Sequence, residues 1–428
     1  MERSGRTNLW SSVGLVSLLA ATGCDDGTHG ERDLATMAGA VSPGDAEHEH
    51  DDAAFERLLV ADAVEAVVRV VDVHSDAVER TFPLQGVARV YAGASGLLGY
   101  AVQGQADVVS VIDSGLSVQN HGDHAHYRRR DSKLLPYEAL GDYPVHFVAH
   151  EGFVVTFFDD DGSAHVIDEA SLYGPRPPRV TIVKTPSPHH GVGLVFREHL
   201  LLSRPEHLNG AERATPTGIV VHDLEGVATG DVFEGCTGLH GEATAGERAF
   251  FGCSEGVLII EHGPAGFSGH VLPAPSSEAM PRPRVGTVVA HPGLQHAIGN
   301  FGSEALCTID PSSGTITAHA LGEAFVQFDI APDGDALIVL TRAGELVVRD
   351  PHDLEELARF RVTTAVTDDA NHGAQNPQFG FGAQHLYVSD PKRARVHVVD
   401  VAAGEVVRSI EVPGVPAKLA VLRPQQQH

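Results

Sequence analysis

One pattern of apolar and polar positions recurs along the chain: a short β-branched run, then an acidic residue, then a turn. The run "VVSVIDSG" reaches its acidic residue at Asp113, and "RVHVVDVAAG" reaches its own at Asp400. Short β-branched runs bounded by turn residues predict strands. The acidic residues of the eight copies are Asp72, Asp113, Asp168, Asp223, Glu261, Asp310, Asp350 and Asp400.

The spacing of these copies indicates the architecture. Successive acidic residues lie 38 to 55 positions apart, and each repeat has an upstream strand pair with a turn, as in "FDIAPDGDALIVLTRAG". This period is typical of a four-stranded propeller blade. We predict an all-β fold, a single β-propeller of about eight four-stranded blades, with seven as the alternative if one irregular repeat is not a full blade. Only "PHDLEELARF" predicts a turn of helix.

The two ends of the repeat region are complementary. The first copy has predicted strands near 56–61, 66–72 and 77–83 but no innermost strand before them, and the last repeat is followed by a spare strand, "VPAKLAVL". Pairing the N-terminal and C-terminal strands closes the ring and removes an exposed sheet edge. We therefore predict one propeller domain over residues 55–428.

The N-terminus predicts export. Arg3 and Arg6 precede an apolar run and then "AATGC", which ends at Cys24. Residues 1–23 are therefore predicted as a lipoprotein-type signal peptide with lipidation at Cys24, and the protein as periplasmic. The usual leucine of such a signal is Ala21 here, so a plain secretory signal or a short hydrophobic anchor is the alternative.

Residues 24–54 are rich in Gly, Asp, Glu and His, which predicts a disordered acidic tether. Its "DAEHEHDD" stretch carries His48 and His50 among carboxylates. Two histidines on a segment that is not preorganised favour weak metal capture, and a solubilising linker is the alternative.

Charge narrows the range of partners. The net charge is −27, from 57 acidic and 30 basic residues, which excludes a general binder of nucleic acid because a polyanion is repelled. No stretch after the signal approaches the roughly 18–20 apolar residues of a membrane span, so membrane contact is predicted only through the lipid anchor. The 26 histidines are unusual, and neutral imidazole is a common metal ligand.

Three consecutive repeats have histidine at or near the start of their innermost strand. These are His146 in "YPVHFVAHEG", His190 in "SPHHGVGLVF" and His240 in "TGLHGEATAG"; His372 in "DANHGAQNPQF" is a fourth candidate. Neighbouring blades place their inner strands side by side, so these residues are expected to converge. Three imidazoles with a fourth ligand from a loop, a carboxylate or water form a zinc site. The alternative is a set of polar residues that line a wet channel.

A long insertion, residues 116–144, carries "NHGDHAHYRRRDS", and long loops in compact domains are often functional. His124 and His126 share one face of an extended segment, His121 lies beside them, and Asp123 is predicted as a ligand or as an acceptor that orients an imidazole. We expect this loop to close as a lid over the mouth that His190 and His240 face. The arginines 128–130 are a candidate docking patch, and a solvated polar turn is the alternative.

Three cysteines follow Cys24. Cys236 and Cys253 flank a short segment, and in an oxidising compartment this predicts a disulfide. Cys307 alternates with apolar residues and is predicted to be a buried strand thiol.

The motifs "NHGDHAHY", "PVHFVAHEGFVVTFFDDDGSAHV", "HHGVGL" and above all "CTGLHGEATAGERAFFGCSEGV" resemble the AztD-type periplasmic zinc metallochaperones over roughly residues 60–420. The resemblance implies a β-propeller that binds zinc and delivers it to the solute-binding protein of a zinc ABC transporter without chemical turnover. We also predict a monomer. The ligands that it implies are His124, His126, His190 and His240, with His146 and His372 as further candidates. The predicted lipidation and the histidine-poor tether depart from the family pattern.

Two other functions are consistent with the sequence. A metal-dependent hydrolase of the propeller lactonase type would use zinc with an open position to activate water, with Glu242 as general base. No Ser/His/Asp or Cys/His signature accompanies it. The other alternative is a protein-interaction propeller in which the histidines are incidental.

Overall fold

The computed structural model describes residues 55–120, 125–275, 284–366 and 375–424. No helix among these residues is long and apolar enough to cross a membrane. Several predicted site residues lie outside the described ranges, namely Cys24, His48, His50, His121, Asp123, His124 and His372.

The described residues form eight four-stranded antiparallel sheets and one two-stranded hairpin. The first sheet, blade 1, combines the two ends of the chain: β1 (Arg57–Asp62), β2 (Val67–Asp72) and β3 (Ala77–Pro83) with β34 (Pro416–Leu422). Blade 2 contains β4 (Arg89–Ala92), β5 (Leu98–Gln103), β6 (Val108–Asp113) and β9 (Lys133–Leu140), with the hairpin β7 (Leu116–Asn120) and β8 (Ala125–Arg129) between its last two strands.

The other six blades are each built from four consecutive strands. Blade 3 contains β10 (Pro144–His150), β11 (Phe153–Phe158), β12 (Ser163–Asp168) and β13 (Val180–Lys184), and blade 4 contains β14 (Gly193–Phe196), β15 (His199–Glu206), β16 (Thr215–His222) and β17 (Ala228–Glu234). Blade 5 contains β18 (His240–Ala245), β19 (Arg248–Gly252), β20 (Gly256–Gly263) and β21 (Gly266–Pro273), and blade 6 contains β22 (Val288–Val289), β23 (Ala297–Asn300), β24 (Ala305–Asp310) and β25 (Thr315–Ala320). Blade 7 contains β26 (Phe325–Ile330), β27 (Leu337–Thr341), β28 (Glu345–Arg349) and β29 (Glu356–Arg361), and blade 8 contains β30 (Phe379–Phe381), β31 (Leu386–Asp390), β32 (Arg395–Asp400) and β33 (Glu405–Glu411).

Helix is confined to single 3₁₀ turns in the described residues. They are Gly104–Ala106, Glu169–Tyr173, Leu208–Gly210 and Pro391–Arg393.

The sequence repeat corresponds to the third strand of every blade. Five of the repeated acidic residues are the last residue of that strand, two follow it directly, and Glu261 lies within β20. All eight predicted repeats are therefore complete blades, and the prediction of eight is confirmed over the alternative of seven.

The ring closes between the chain ends as predicted. β34 pairs with β1 in antiparallel register, with Leu58 opposite Val421 and Val60 opposite Leu419. Leu58, Leu59 and Leu422 are completely buried there. This pairing supplies the missing inner strand of blade 1 and leaves no exposed edge on β1.

The core lies between neighbouring blades. Phe196 of β14 packs in one buried cluster with Phe251 and Leu258 of blade 5, and Cys236 and Cys253 belong to the same cluster. The first strands of neighbouring blades also contact each other. For example, β10 contacts β14, and β18 contacts β22. Each blade thus buries both faces, which holds the inner strands side by side.

Two local predictions have different outcomes. Cys307 is a buried free thiol in β24, as predicted. The helical turn predicted at "PHDLEELARF" is wrong, because the segment is a turn followed by β29, whose Phe360 pairs with Leu346 of β28. Completing the outer edge of blade 7 outweighs the local helix preference.

Candidate metal centre

The inner strands of blades 3 and 5 each begin with a β-bulge. In β10, Pro144 pairs with Phe158 and His146 with Phe157, so one residue is extra. In β18, His240 pairs with Gly252 and Glu242 with Phe251, which leaves Gly241 unpaired. Bulges re-aim side chains, and they recur here beside the candidate histidines.

Gly241 is required at its bulge for two reasons. Its φ is +61°, a left-handed conformation that glycine adopts readily. A Cβ at this position would lie 2.4 Å from the carbonyl oxygen of Gly286. The glycine therefore allows the segment that leads into blade 6 to approach His240.

Three imidazoles converge at this end of the ring. One ring nitrogen each of His146, His190 and His240 lies within 4.8 Å of those of the other two. Nε2 of His146 is 3.2 Å from Nε2 of His240, and the ring centroids are 4.5 to 5.2 Å apart. We call these residues the three-histidine cluster; they come from blades 3, 4 and 5, the consecutive repeats that the sequence indicated.

Two of the three rings are oriented by a hydrogen bond on the side away from the cluster. Nδ1 of His190 donates to Oδ2 of Asp159 at 2.6 Å, and Nδ1 of His240 donates to the carbonyl of Gly286 at 2.7 Å. A carboxylate and a carbonyl only accept, so each Nδ1 carries a proton, and Nε2 is the nitrogen through which the neutral imidazole would bind a metal. This arrangement is typical of metal-binding histidines.

The surroundings favour the neutral form of two of the three histidines, His146 and His240. Burial holds the pKa of His146 well below its usual value, and the nearby His240, His190 and Arg89 act in the same direction. Burial also lowers the pKa of His240, although its hydrogen bond to Gly286 opposes this. Both imidazoles are therefore neutral at pH 7, the form in which histidine binds metal.

Two residues that lie close in sequence to the cluster histidines, His189 and Glu242, do not belong to the cluster. His189 is buried, with Nε2 2.8 Å from the Ser203 hydroxyl and Nδ1 3.0 Å from the Ser187 carbonyl, so its ring is occupied in structural contacts. Glu242 is outside the cluster; burial raises its pKa to about 7. In the hydrolase alternative Glu242 is the general base, but its carboxylate is not among the atoms that lie within 4.8 Å of one another in the cluster.

The hairpin that contains His126 leaves the propeller at the other end of blade 2. It connects Asp113 to Lys133, which pair at that end, whereas Val108 and Leu140 pair at the end that continues to blade 3 and His146. Strand β6 between them has six residues and spans about 20 Å.

Contacts of the hairpin agree with this position. Tyr127 packs against Phe55 with ring centroids 4.7 Å apart, and Arg129 is paired with Asp72. The carbonyl of Arg130 accepts a hydrogen bond from Arg57. The described strands therefore give the predicted lid no support, and the ligand roles of His121, Asp123, His124 and His126 stay predictions. The arginine run is also partly engaged within the protein.

Sequence reasoning missed the two groups that orient the cluster. Asp159 belongs to "FFDDDG", which indicated only a turn, and nothing in that run distinguishes the aspartate that faces His190. The carbonyl of Gly286 has no sequence signal at all.

The predicted disulfide is present. Cys236 and Cys253 are bonded, with their Cα atoms 5.4 Å apart, and both are fully buried. Cys253 follows Gly252, the residue paired with His240. The bond therefore ties the segment that leads into His240 to strand β19.

The fold and the site define an eight-bladed β-propeller with a candidate metal centre of three histidines at one mouth of the ring. The chain is 31% identical over 375 residues to the zinc chaperone AztD of Citrobacter koseri, covering 87% of each sequence. It therefore belongs to the AztD zinc chaperone family. No protein-family model matches the chain.

Solved structures agree. The structure of apo AztD from Citrobacter koseri has a TM-score of 0.77 at 29% identity, over 87% of this chain and 99% of that one. A second crystal structure of the same protein has 30% identity, the same coverage and the same TM-score. The dihydro-heme d1 dehydrogenase NirN, at 12% identity, 89% and 77% coverage and a TM-score of 0.57, shares the fold alone.

Replacing both bonded cysteines, Cys236→Ser and Cys253→Ser, should lower the free energy of unfolding by about 3 kcal/mol, because the unfolded chain loses a closed loop. Urea unfolding followed by circular dichroism measures the change. A reductant should destabilise the wild type by a similar amount and leave the double variant unaffected. An unchanged unfolding midpoint in the double variant would contradict a stabilising role.

Proposed function

We propose that this chain is a periplasmic zinc metallochaperone without catalytic turnover. It binds zinc through His146, His190 and His240 and delivers the ion to the solute-binding protein of a zinc ABC transporter. The observation that carries the proposal is the convergence of three imidazoles within 4.8 Å. Membership of the AztD zinc chaperone family supports zinc as the metal.

The donor set fits zinc. Two nitrogens bound to one tetrahedral zinc, each at 2.0–2.1 Å, lie about 3.3 Å apart. The Nε2 atoms of His146 and His240 are 3.2 Å apart, so the ion fits between them with little movement. Three protein ligands leave one coordination position open.

The exposure of the cluster suits transfer. His146 is half-buried, whereas the His190 side chain is 43% exposed and gives an incoming ligand access. An acceptor can therefore contribute a fourth ligand before the three histidines let go, so that the ion need never be free in solution.

The remaining predicted sites belong to this proposal as subsidiary features. We assign His121, Asp123, His124 and His126, together with His48 and His50, to weaker capture of zinc, and we keep His372 as a candidate ligand. Lipidation at Cys24 would hold the protein at the membrane surface. The Cys236–Cys253 disulfide supports an oxidising compartment such as the periplasm.

His240→Ala should abolish tight zinc binding and leave the propeller folded, because the variant removes one of three ligands at a strand start. Untagged protein is dialysed, analysed for bound metal and titrated against a chromophoric zinc chelator, with circular dichroism as the folding measurement. His199→Ala, at the other end of blade 4, is the matched control. Unchanged stoichiometry and affinity in His240→Ala would remove it from the ligand set.

Asp159→Asn should weaken zinc binding by roughly 10- to 100-fold, the usual effect of losing a carboxylate that orients a histidine ligand. The amide has nearly the shape of the carboxylate but lacks its charge. Asp160→Asn serves as the control, since Asp160 is paired with Arg213 at 3.0 Å rather than with His190. Equal affinities of the two variants would show that Asp159 does not act through His190.

Delivery is tested by mixing the zinc-loaded protein with the zinc-free solute-binding protein in the presence of a chelator that traps free zinc. Direct transfer should be faster than the release of zinc to the chelator alone. Replacing His48 and His50 should change this transfer rate more than the affinity. Transfer no faster than spontaneous release would contradict the chaperone role while leaving zinc binding intact.

A further inference from the structure

Each histidine of the cluster has an arginine beside it. Nη2 of Arg213 lies 3.7 Å from Oδ2 of Asp159, the atom that accepts the His190 hydrogen bond. Arg284 precedes Gly286, the partner of His240, by two residues. Its guanidinium also lies against Gly238. Arg284 Cζ is 4.0 Å from the position that a Cβ on this glycine would take.

The third arginine lies on the other side of the cluster. Arg89 is the first residue of β4, the inner strand of blade 2, next to the blade that carries His146. Tyr91 of the same strand stacks on Phe147, the residue after His146, with centroids 4.8 Å apart. We call Arg89, Arg213 and Arg284 the arginine rim.

The rim is exposed and incompletely paired. Arg89 and Arg284 are exposed, and the Arg213 side chain is 56% exposed. Arg213 pairs with Asp160 at 3.0 Å and with Asp159 at 3.7 Å, and Arg89 is hydrogen-bonded to the Tyr91 side chain. Within the described ranges, neither Arg89 nor Arg284 has a carboxylate at ion-pair distance. In a protein with 57 acidic and 30 basic residues, three arginines beside one cluster are a local concentration of positive side chains.

This concentration of positive side chains does not help zinc itself to bind. Positive charges repel the ion, and the bound ion adds two more positive charges to the mouth. A rim of this sign instead attracts anionic groups, and arginine forms two-pronged hydrogen bonds with carboxylates. Charge complementarity of this kind speeds the encounter of two proteins and fixes their relative orientation.

We propose that the arginine rim is the docking surface for an acidic patch on the zinc-accepting protein. The patch directs one anionic zinc ligand of the acceptor to the open coordination position beside His190. The inference rests on the proposed function, because it requires zinc in the three-histidine cluster. The inference adds to the proposed function the face of the propeller on which the acceptor docks and the negative charge that the acceptor must present there.

The test is a double variant, Arg89→Gln with Arg284→Gln, which removes the two unpaired charges without adding a ligand. The control is Arg197→Gln with Arg248→Gln, which changes the net charge equally at the other end of blades 4 and 5. Zinc stoichiometry and the rate of zinc loss to the neutral chelator 1,10-phenanthroline should be nearly the same in all three proteins.

Transfer to the zinc-free solute-binding protein should distinguish them. At low ionic strength the rim variant should transfer zinc roughly tenfold more slowly than the wild type and the control, because steering by charge is lost. The difference should shrink towards none in about 0.5 M salt, where screening is strong. Equal transfer rates in the rim variant and the control would overturn the proposal.

Zinc removal by the small anion ethylenediaminetetraacetate separates a docking surface from a general anion site. If the rim variant slows removal by this chelator but not transfer to the protein acceptor, the rim takes small anions only and the docking proposal is overturned. If the wild type holds no zinc in the cluster, both this inference and the proposed function fail. Zinc binding with equal protein transfer rates overturns the docking inference alone.

Discussion

The antiparallel pairing of β34 with β1 is the constraint on which the rest of the structure depends. It joins the two ends of the described chain within one blade and completes a ring of eight sheets. This closure leaves no exposed edge on β1, and it holds neighbouring inner strands in contact around the centre. Because of this, His146, His190 and His240 meet although they are far apart in the sequence.

The cluster combines features that favour binding with features that favour release. Asp159 and the Gly286 carbonyl orient two imidazoles so that their Nε2 lone pairs face inward, and burial keeps His146 and His240 neutral. Yet the cluster contains no carboxylate, one of its rings is accessible, and arginines flank it. A carrier must bind its cargo well and still surrender it, and this composition is suited to both.

The hairpin β7–β8 and the three-histidine cluster lie at opposite ends of the inner blades. The hairpin β7–β8 leaves blade 2 at the end remote from His146, and Phe55, where the described chain begins, packs against Tyr127 of that hairpin. The capture role proposed for the hairpin is accordingly separate from tight binding at the cluster.

The sequence by itself determined the all-β class, the eight blades, the closing strand, the cysteine pair and the three histidines at consecutive inner strands. All of these follow from local patterns: strand periodicity, a regular repeat and the position of a residue within it. The tertiary structure decided that Asp159 and Gly286 orient the cluster and that the hairpin lies at the other end. It also made a strand of the "PHDLEELARF" segment. These outcomes depend on bulges, on register and on the end at which a connection leaves its blade, and such contacts form between residues that no local pattern relates.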